Sequence, residues 1–306
     1  MRMAKVLKRK DGIWFIDGYD PDMKIMFRVD KVVKYKKTPL QEILIVEIKG
    51  FGKCLIIDGI TQSSEADEFI YHECLIHPAL FQRSNNESIS ALVLGYGEGA
   101  TVRELVKYKN LKRIVAIDID EKAVMLLRKH FPSMHLNTYE DPRVKIYFIS
   151  AIDYLRQSQE KFDFIFSDIS DPGCFNLASD KNKSEIAFYK LIKKALNRNG
   201  IFVSHAYFLN ELSFCEHRKM LFTLNKVFRK SFSSRVFVPF FGNYWSFILS
   251  TDDDSINPCN FPENKFQKII ENMELTGKLK YLNRDSYNAL FGLPNILKEK
   301  LRQRNP

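Results

Sequence analysis

The chain has 306 residues, of which 45% are hydrophobic and 27% charged, and its formal net charge is +10. These values are ordinary for a globular protein of two domains, or of one large domain with an extension, and no apolar run is long enough to span a bilayer, so we expect no membrane association. The five cysteines are scattered without CxxC spacing, which argues against a zinc site and a disulfide framework and fits a reducing, cytoplasmic location.

The N-terminal part of the chain is predicted to consist of short strands that are rich in β-branched and aromatic residues. Turn signals such as Asp11-Gly12 and Asp17-Gly18 separate them. The expected strands cover residues 13–16, 25–29, 43–48 and 54–57. The pattern predicts a small antiparallel β-domain over residues 1–62, and a helix over 65–81 opens a second domain that covers residues 63–306.

Beyond this helix, predicted strands and helices alternate, which is the signature of a doubly wound, mostly parallel α/β sheet. The predicted strands lie near residues 90–95, 114–118, 144–149, 162–167 and 200–205. The predicted helices lie near residues 99–108, 121–131, 151–158 and 184–197. We further expect an antiparallel hairpin at the sheet edge, formed by residues 235–239 and 244–250, and a tail from Pro262 onward that is helical in parts.

A glycine-rich loop follows the first strand of this sheet. Gly95, Gly97 and Gly99 open a helix there, so the backbone can approach a ligand and the helix N-terminus offers free N–H groups. Glu98 places a carboxylate inside the loop, which would repel a pyrophosphate but tolerate a cation. The loop therefore favours a sulfonium nucleoside of the S-adenosylmethionine type over a dinucleotide, and the alternative is a tight turn that binds no ligand.

Carboxylates are expected at the same crevice, because ligands of such sheets bind outside the carboxyl ends of the strands. Asp118 ends the second strand, where an acid can accept both ribose hydroxyls. Asp120 is the rival, and we interpret it as an exposed N-cap of the next helix. Asp168 and Asp171 follow a later strand, where two carboxylates favour an ammonium and can take a proton from it. The alternative for this pair is a turn with Asx-type caps.

Acidic and basic residues are segregated along the sequence. Residues 58–73 and 163–171 contain acids and no Lys or Arg, which in a basic protein suggests a pocket for a cation. The basic clusters at 5–10 and 31–37 form no long stripe with interleaved aromatics. We therefore predict a solvated basic surface and no nucleic-acid partner.

Two histidines and an aromatic stretch each have two interpretations. His72 and His205 are candidates for function, although a lone histidine is more often a satisfied core or surface residue. The aromatic side chains of residues 240–247 are interpreted as core packing at the sheet edge unless the pocket opens there.

Several short segments of the sequence, taken together in their order, indicate a protein family more specifically than any one of them does. The segments are Leu55-Ile-Ile-Asp58-Gly59-Ile-Thr-Gln62, Asp67-Glu68-Phe69-Ile-Tyr71-His72-Glu73, His77-Pro78-Ala79-Leu80, Gly95 to Thr101, Asp118-Ile-Asp120, Asp141-Pro142-Arg143 and Asp168-Ile-Ser-Asp171-Pro172. Together they resemble the polyamine aminopropyltransferase family (spermidine, spermine and thermospermine synthases), over roughly residues 10–300.

The resemblance implies a Rossmann-like, methyltransferase-type doubly wound sheet preceded by a small antiparallel β-domain. It implies oligomerisation, as a homodimer or homotetramer, through that β-domain. The implied reaction moves an aminopropyl group from decarboxylated S-adenosylmethionine to a polyamine acceptor, spermidine or putrescine, and releases 5′-methylthioadenosine. The nucleoside is then a co-substrate, with no permanently bound cofactor and no metal.

The resemblance also implies roles for individual residues. Asp168 is the general base, Asp171 anchors the acceptor amine, and Glu98 holds the ammonium of the donor. The further substrate-binding residues are Gln62, Tyr71 and His72. The nucleoside-binding residues are Gln41, Gly95, Gly97, Glu98, Asp118, Ser150 and Ala151.

Several departures from the family pattern concern the same sites. Tyr96 stands where many members have Gly, Ser150-Ala151 replaces an acid-plus-small pair that would contact the adenine, and His205 replaces a Gln. The loop 173–184 lacks the expected Pro and the usual entry to its helix. This loop normally covers the active site, so it bears on the choice of acceptor.

The acceptor is predicted from similar details. Residues 71–73, 97–101, 118–120 and 244–245 look more like the thermospermine synthase and agmatine-using branch than the ordinary spermidine branch. Phe241 stands near a position that is often Tyr in members favouring putrescine. We expect a longer amine, and putrescine stays open.

Two rival functions also stay open. An S-adenosylmethionine-dependent methyltransferase would share the sheet and the class of nucleoside, but it would not need the acidic segment 58–73 or Asp171. A non-catalytic protein that binds a nucleoside or a polyamine is the second rival, because of Ser150 and the altered loop.

Overall fold

The computed structural model describes residues 5–20, 23–83, 87–169 and 181–303. Within these residues, the N-terminal part consists of two antiparallel sheets. The first contains, in spatial order, β1 (Lys5–Arg9), β2 (Gly12–Ile16) and β3 (Met26–Val29). The second contains, in spatial order, β4 (Lys31–Lys37), β5 (Glu42–Ile48), β6 (Gly52–Ile57) and β7 (Ile60–Ser64).

The sequence pattern predicts β2, β3, β5 and β6 but not β1, β4 or β7. The missed strand β4 has the sequence KVVKYKK and is almost fully exposed at the edge of its sheet. Lysine has a low β-propensity, and an edge strand with two solvated faces shows no apolar alternation. Pairing with the buried strand β5 therefore determines its conformation.

Helix α1 (Glu68–Leu80) connects these sheets to the rest of the chain. It begins three residues after the predicted start, because residues 65–67 still form turn hydrogen bonds with the second sheet. The helix packs against both the next helix and strands of the central sheet, and most of its side chains are buried. Its polar side chains must therefore find partners inside the protein.

A mixed seven-stranded sheet forms the centre of the molecule. Its strands are β8 (Ile89–Leu94), β9 (Leu111–Asp118), β10 (Val144–Phe148), β11 (Phe162–Ser167), β12 (Leu196–Phe208), β13 (Lys230–Val238) and β14 (Asn243–Thr251). The spatial order is β10-β9-β8-β11-β12-β14-β13, and the first five strands are parallel. Strands β13 and β14 form the predicted antiparallel hairpin at the edge. The predicted fold class is confirmed.

Helices cover both faces of this sheet. They are α2 (Ala100–Val106), α3 (Glu121–His130), α4 (Pro132–His135), α5 (Ala151–Gln157), α6 (Lys181–Ala195), α7 (Cys215–Asn225), α8 (Glu263–Asn272), α9 (Arg284–Phe291) and α10 (Asn295–Arg302). The sequence pattern predicts α2, α3, α5 and α6 but not α4 or α7. Within the described part of the chain, no helix has the length and apolarity needed to cross a membrane.

The core lies on both faces of the central sheet, as the alternation of strand side chains requires. Leu92 and Leu94 of β8 belong to the apolar cluster on one face, whereas Ala91 and Val93 belong to the cluster on the other. The latter cluster continues into the N-terminal sheets through residues such as Phe15. The N-terminal sheets are thus packed firmly against the carboxyl-terminal part.

The pairing register of the central sheet brings the carboxyl ends of three parallel strands together. Leu94 of β8 pairs with Ile117 of β9 and with Ser167 of β11. The residues that follow these positions therefore meet at one edge of the sheet, which is where the sequence predicts the ligand crevice.

Candidate active site

A cavity of about 680 Å³ opens at this edge, between the N-terminal sheets and the central sheet. It brings together all the predicted site residues that the structure describes. They are Gln41, Gln62, Tyr71, His72, Gly95, Gly97, Glu98, Asp118, Ser150, Ala151 and Asp168. The predicted amine anchor, Asp171, lies outside the described residues, as does most of the loop 173–184.

The glycine loop is in contact with the end of β11. Gly95 has a φ of +92°, and a Cβ there would lie 2.2 Å from the backbone oxygen of Asp168. Only glycine fits this position, because it lacks the Cβ and tolerates a positive φ. The loop therefore sets the position of the strand end that carries Asp168.

Backbone hydrogen bonds hold Asp118 in place. Its two carboxylate oxygens accept from the backbone N–H of Gly97 and of Asp120, each at 2.9 Å. Burial raises the pKa of Asp118, and these two hydrogen bonds oppose that rise. A carboxylate held this way has a fixed orientation and further lone pairs for a ligand.

The prediction that Asp120 is an exposed N-cap is wrong in one respect, because the residue is buried. Its side chain accepts from the backbone N–H of Ala123 and so caps α3, but it is only 4% exposed. Its other oxygen accepts from Thr38 Oγ1 at 2.5 Å and from Gln41 Nε2 at 3.2 Å. The turn between β4 and β5 thus covers the start of α3, and the sequence carries no sign of this long-range contact.

Asp168 is held by a phenol. Tyr71 Oη, on α1, donates to Asp168 Oδ1 at 2.5 Å. Burial raises the pKa of the Tyr71 phenol well above its usual range, and the Asp168 carboxylate raises it further. The phenol thus stays neutral and remains a donor. No hydrogen bond among the described residues uses Asp168 Oδ2.

His72 belongs to a buried ionic network. Its Nδ1 donates a hydrogen bond to Glu68 Oε2 at 2.8 Å. The same carboxylate accepts hydrogen bonds from both terminal nitrogens of Arg103, at 2.7 and 2.9 Å. Although burial opposes the charge, the hydrogen bond to Glu68 raises the pKa of His72 to about 9, helped by Glu98 and Asp168. His72 is therefore an imidazolium at neutral pH.

The electrostatic character of the cavity is acidic. Its carboxylate-bearing residues are Asp17, Asp58, Asp67, Glu68, Glu98, Asp118, Asp120 and Asp168. Neither Lys nor Arg occurs among the described residues that line it. Burial raises the pKa of Glu98, and His72 opposes that rise. An acidic cavity in a chain of net charge +10 attracts cations and disfavours anions such as a pyrophosphate.

Some acids of the acid-only segments lie outside the cavity. Glu65 pairs with Lys53 at 3.4 Å, and Glu73 accepts from the backbone N–H groups of residues 280–282. Asp163, at the start of β11, accepts from the backbone N–H of Ser90. The number of acidic residues in these segments therefore predicts correctly that the cavity is negatively charged. It does not predict which of the acidic residues line the cavity.

One end of the cavity is aromatic. The Trp245 ring lies 5.1 Å from Phe241 and 5.5 Å from Tyr19, and it stacks on His205 at 5.8 Å. His205 Nε2 is 2.8 Å from the backbone oxygen of Ile169. The aromatic stretch thus has packing contacts and also lines the cavity. His205 Nδ1 and Trp245 Nε1 are buried without a hydrogen-bond partner among the described residues.

The first sheet contributes residues to the cavity that the sequence pattern does not predict. Asp17 and Tyr19 reach the cavity from the segment after β2, and Asp17 accepts from Thr61 Oγ1 at 3.1 Å. In the sequence, Asp17-Gly18 is only a turn signal. Nothing local distinguishes it from the other turns.

The departures at Ser150 and Tyr96 have structural partners. Ser150 Oγ accepts from the backbone N–H of Asp153 at 3.3 Å and so caps α5 beside the cavity. Tyr96 is buried, and the guanidinium of Arg128 lies 5.1 Å from its ring centre. Gln62 is exposed and lies on the cavity lining.

Comparison with known proteins agrees with this geometry. A family model described as "Spermidine synthase tetramerisation domain" matches residues 13–65, and one described as "Spermine/spermidine synthase domain" matches residues 68–261. The polyamine aminopropyltransferase of Aeropyrum pernix is 32% identical over 94% of this chain and 90% of its own length. A protein of the same name from a Synechococcus strain is 34% identical over 94% of this chain and 92% of its own.

Solved structures of spermidine synthases are similar to this chain over nearly its whole length. Spermidine synthase from Thermotoga maritima superposes with a TM-score of 0.81 at 25% identity, covering 98% of this chain and 97% of its own. A spermidine synthase in complex with the transition-state analogue AdoDATO has a TM-score of 0.81 at 24% identity and supports the fold. The resemblance stated from the sequence is thereby confirmed. The chain belongs to the spermine/spermidine synthase family, whose curated relatives are polyamine aminopropyltransferases.

Proposed function

We propose that this protein transfers the aminopropyl group of decarboxylated S-adenosylmethionine to a polyamine and releases 5′-methylthioadenosine. The observation that carries the proposal is the acidic cavity of a basic chain, located at the carboxyl ends of parallel strands. Both substrates are cations, the donor through its sulfonium and ammonium and the acceptor through its amines. An acidic cavity suits both of them.

The nucleoside is proposed to lie along the ends of β8 and β9. Asp118, held by two backbone N–H groups, accepts from a ribose hydroxyl. Gly95, Gly97 and Gln41 line the same cavity, and Ser150 and Ala151, which also line it, are proposed to contact the base. Glu98 binds the ammonium of the aminopropyl group. The absence of a pyrophosphate in this nucleoside explains how a carboxylate is tolerated in the loop.

Asp168 is proposed as the general base. An amine with a pKa near 10 is mostly protonated at neutral pH, so it must lose a proton to become a nucleophile. Asp168 takes this proton, directly or through water, while Tyr71 fixes the orientation of the carboxylate. The nitrogen lone pair attacks the methylene next to sulfur, the C–S bond breaks, and its electron pair stays on sulfur.

The transfer step needs little from the protein beyond the positioning of its two substrates. The leaving sulfonium becomes a neutral thioether without taking up a proton, so no acid is needed for it. Alignment of the nitrogen, the methylene and the sulfur supplies much of the rate. Asp171 is proposed to bind the acceptor amine, as the family resemblance implies.

The acceptor is proposed to extend toward the aromatic end of the cavity. Tyr19, Phe241 and Trp245 can hold a remote ammonium over their rings. Phe241 in place of Tyr favours an acceptor longer than putrescine, such as spermidine, as in the thermospermine branch. Putrescine is the alternative acceptor.

We also propose the organisation that the sequence predicts, with an N-terminal domain over residues 1–62 and a catalytic domain over 63–306. The two family matches, over residues 13–65 and 68–261, support this division. The first match supports a homotetramer or homodimer formed through the N-terminal sheets. The scattered cysteines support a cytoplasmic location.

The identity of the nucleoside tests the proposal against a methyltransferase. Isothermal titration should give tighter binding of decarboxylated than of ordinary S-adenosylmethionine, because the extra carboxylate of the latter would meet Glu98 and Asp168. A clear preference for the ordinary nucleoside would favour the methyltransferase.

Replacement of the base tests the proposal against a binding protein. Asp168→Asn should lower turnover by roughly 10²- to 10⁴-fold, since the amine loses its proton acceptor. Binding of 5′-methylthioadenosine should change little, because that product lacks the reacting amine. A wild-type protein that binds the nucleoside and transfers nothing would favour the binding function.

A further inference from the structure

The turn between β4 and β5 is tied to the nucleoside side of the cavity through one carboxylate oxygen. Asp120 Oδ2 accepts from Thr38 Oγ1 at 2.5 Å and from Gln41 Nε2 at 3.2 Å. Thr38 and Asp120 are 5% and 4% exposed, respectively, so water competes little for these hydrogen bonds. The contact joins residues that are about 80 positions apart.

The hydroxyl of Thr38 also organises the turn itself. Thr38 Oγ1 accepts from the backbone N–H groups of Leu40 and Gln41, each at 3.1 Å. The same hydroxyl therefore fixes the backbone of Gln41 and, through its proton, the carboxylate that holds the Gln41 side chain. Both the position and the rotation of this amide are set.

The rotation of the amide follows from the chemistry of its partner. A carboxylate only accepts, so the Gln41 nitrogen must face Asp120 and the Gln41 oxygen must face away. Gln41 lines the cavity, and no hydrogen bond among the described residues uses Gln41 Oε1. The side chain thus offers a ligand its free carbonyl oxygen, while Asp120 binds one N–H of its amide.

We propose that Thr38 and Asp120 are positioning residues, which orient Gln41 so that its carbonyl oxygen faces the bound nucleoside. This inference rests on the proposed function. The oxygen accepts from one ribose hydroxyl while Asp118 accepts from the other, whereas an inverted amide would present N–H groups to that hydroxyl. Asp120 also donates its backbone N–H to Asp118, so one residue organises two nucleoside contacts.

A capping role alone is the competing explanation, because Asp120 also caps α3. Asp120→Asn separates the two roles. The variant keeps an oxygen for the backbone N–H of Ala123, but it turns an amide group toward the Gln41 amide. Two N–H groups cannot bond to each other, so the Gln41 amide inverts.

The expected result is a loss of nucleoside affinity. By isothermal titration, Asp120→Asn should bind 5′-methylthioadenosine roughly tenfold more weakly than the wild type, the effect of one mispaired hydrogen bond. The KM for the donor should rise by a similar factor, and the KM for the acceptor should stay the same.

A second substitution provides the rescue. Gln41→Glu in the Asp120→Asn background lets the new carboxylate accept from the new amide and again turn an oxygen to the nucleoside. Affinity should return to within about threefold of the wild type. Gln41→Glu alone should weaken binding, because two carboxylates then face each other.

The outcomes are distinct. Unchanged binding in Asp120→Asn, or a loss that Gln41→Glu does not rescue, overturns the positioning role while leaving the proposed function intact. A wild-type protein that does not bind 5′-methylthioadenosine overturns the proposed function and this inference with it. Tighter binding in the double variant than in Asp120→Asn supports the inference.

Discussion

Tyr71 of α1 donates a 2.5 Å hydrogen bond to Asp168 across 97 positions of sequence. Helix α1 thereby joins the N-terminal sheets to the strand end where the proposed base lies. Tyr71→Phe keeps the ring packing against Phe241 and Phe247 but removes the donor. Since the carboxylate then loses its fixed orientation, kcat should fall roughly 10- to 100-fold. Steady-state kinetics would measure this change.

Binding of the donor nucleoside should not change in the Tyr71→Phe variant. Its KM in Tyr71→Phe should stay close to the wild-type value, because the phenol is proposed to act on the base and not on the nucleoside. An unchanged kcat would show that the hydrogen bond has no role in turnover.

His72, the next residue on α1, should make stability depend on pH. The pKa of His72 is about 9 in the folded protein, against an ordinary value of 6.5, because the hydrogen bond to Glu68 outweighs burial. A folded-state pKa above the unfolded one gives stability that is complete below pH 6.5 and is lost as the pH rises through 9. The wild-type Tm should therefore fall over this interval.

His72→Gln is the matched control for this dependence. The variant lacks the titrating group, so the difference in Tm between wild type and variant should shrink as the pH rises. Thermal unfolding followed by circular dichroism at several pH values would measure it. Parallel curves for the two proteins would contradict a charged His72.

Glu73, the third of these consecutive residues, should affect stability and not activity. Its carboxylate is fully buried and accepts from the backbone N–H groups of Lys280, Tyr281 and Leu282 at 2.7 to 3.0 Å. Glu73→Gln replaces one acceptor by a donor that faces N–H groups, which should cost about 3 kcal/mol of unfolding free energy. Urea denaturation would measure this loss.

The kinetic constants of Glu73→Gln should equal those of the wild type at a temperature where both are folded. A large loss of kcat in the folded variant would mean that the segment 280–282 takes part in the reaction.

Phe241 should influence which amine is used. Its ring lies 6.2 Å from Tyr71 and 5.1 Å from Trp245, at the aromatic end of the cavity. Phe241→Tyr adds a hydroxyl that can bind the far ammonium of a short diamine. The ratio of kcat/KM for putrescine to that for spermidine should rise roughly tenfold. Competition assays with both amines would show an unchanged ratio if the acceptor does not reach this ring.

Much of the site is predictable from the sequence because it follows strand ends. Gly95 and Asp118 end predicted strands and Asp168 follows one, and a parallel sheet brings such positions to one edge. The glycine at 95 also has a local reason, since a side chain there would collide with Asp168. Local patterns and topology suffice for these residues.

Other parts of the site depend on contacts that no local pattern encodes. The sequence predicts Asp120 to be an exposed cap, but the turn from Thr38 to Gln41 buries it. Asp17 and Tyr19 enter the cavity because the first sheet packs over it. Strand β4 is missed because pairing and not composition makes it a strand.

The most direct test of the proposed activity is product identification. The purified protein is incubated with decarboxylated S-adenosylmethionine and, separately, with putrescine, agmatine or spermidine, and the products are identified by chromatography and mass spectrometry. The proposal predicts 5′-methylthioadenosine and the aminopropylated amine in equal amounts, with spermidine as the preferred acceptor and product formation roughly 10²- to 10⁴-fold slower in Asp168→Asn. Absence of an aminopropylated product with all three amines, from a protein that still binds 5′-methylthioadenosine, would contradict it.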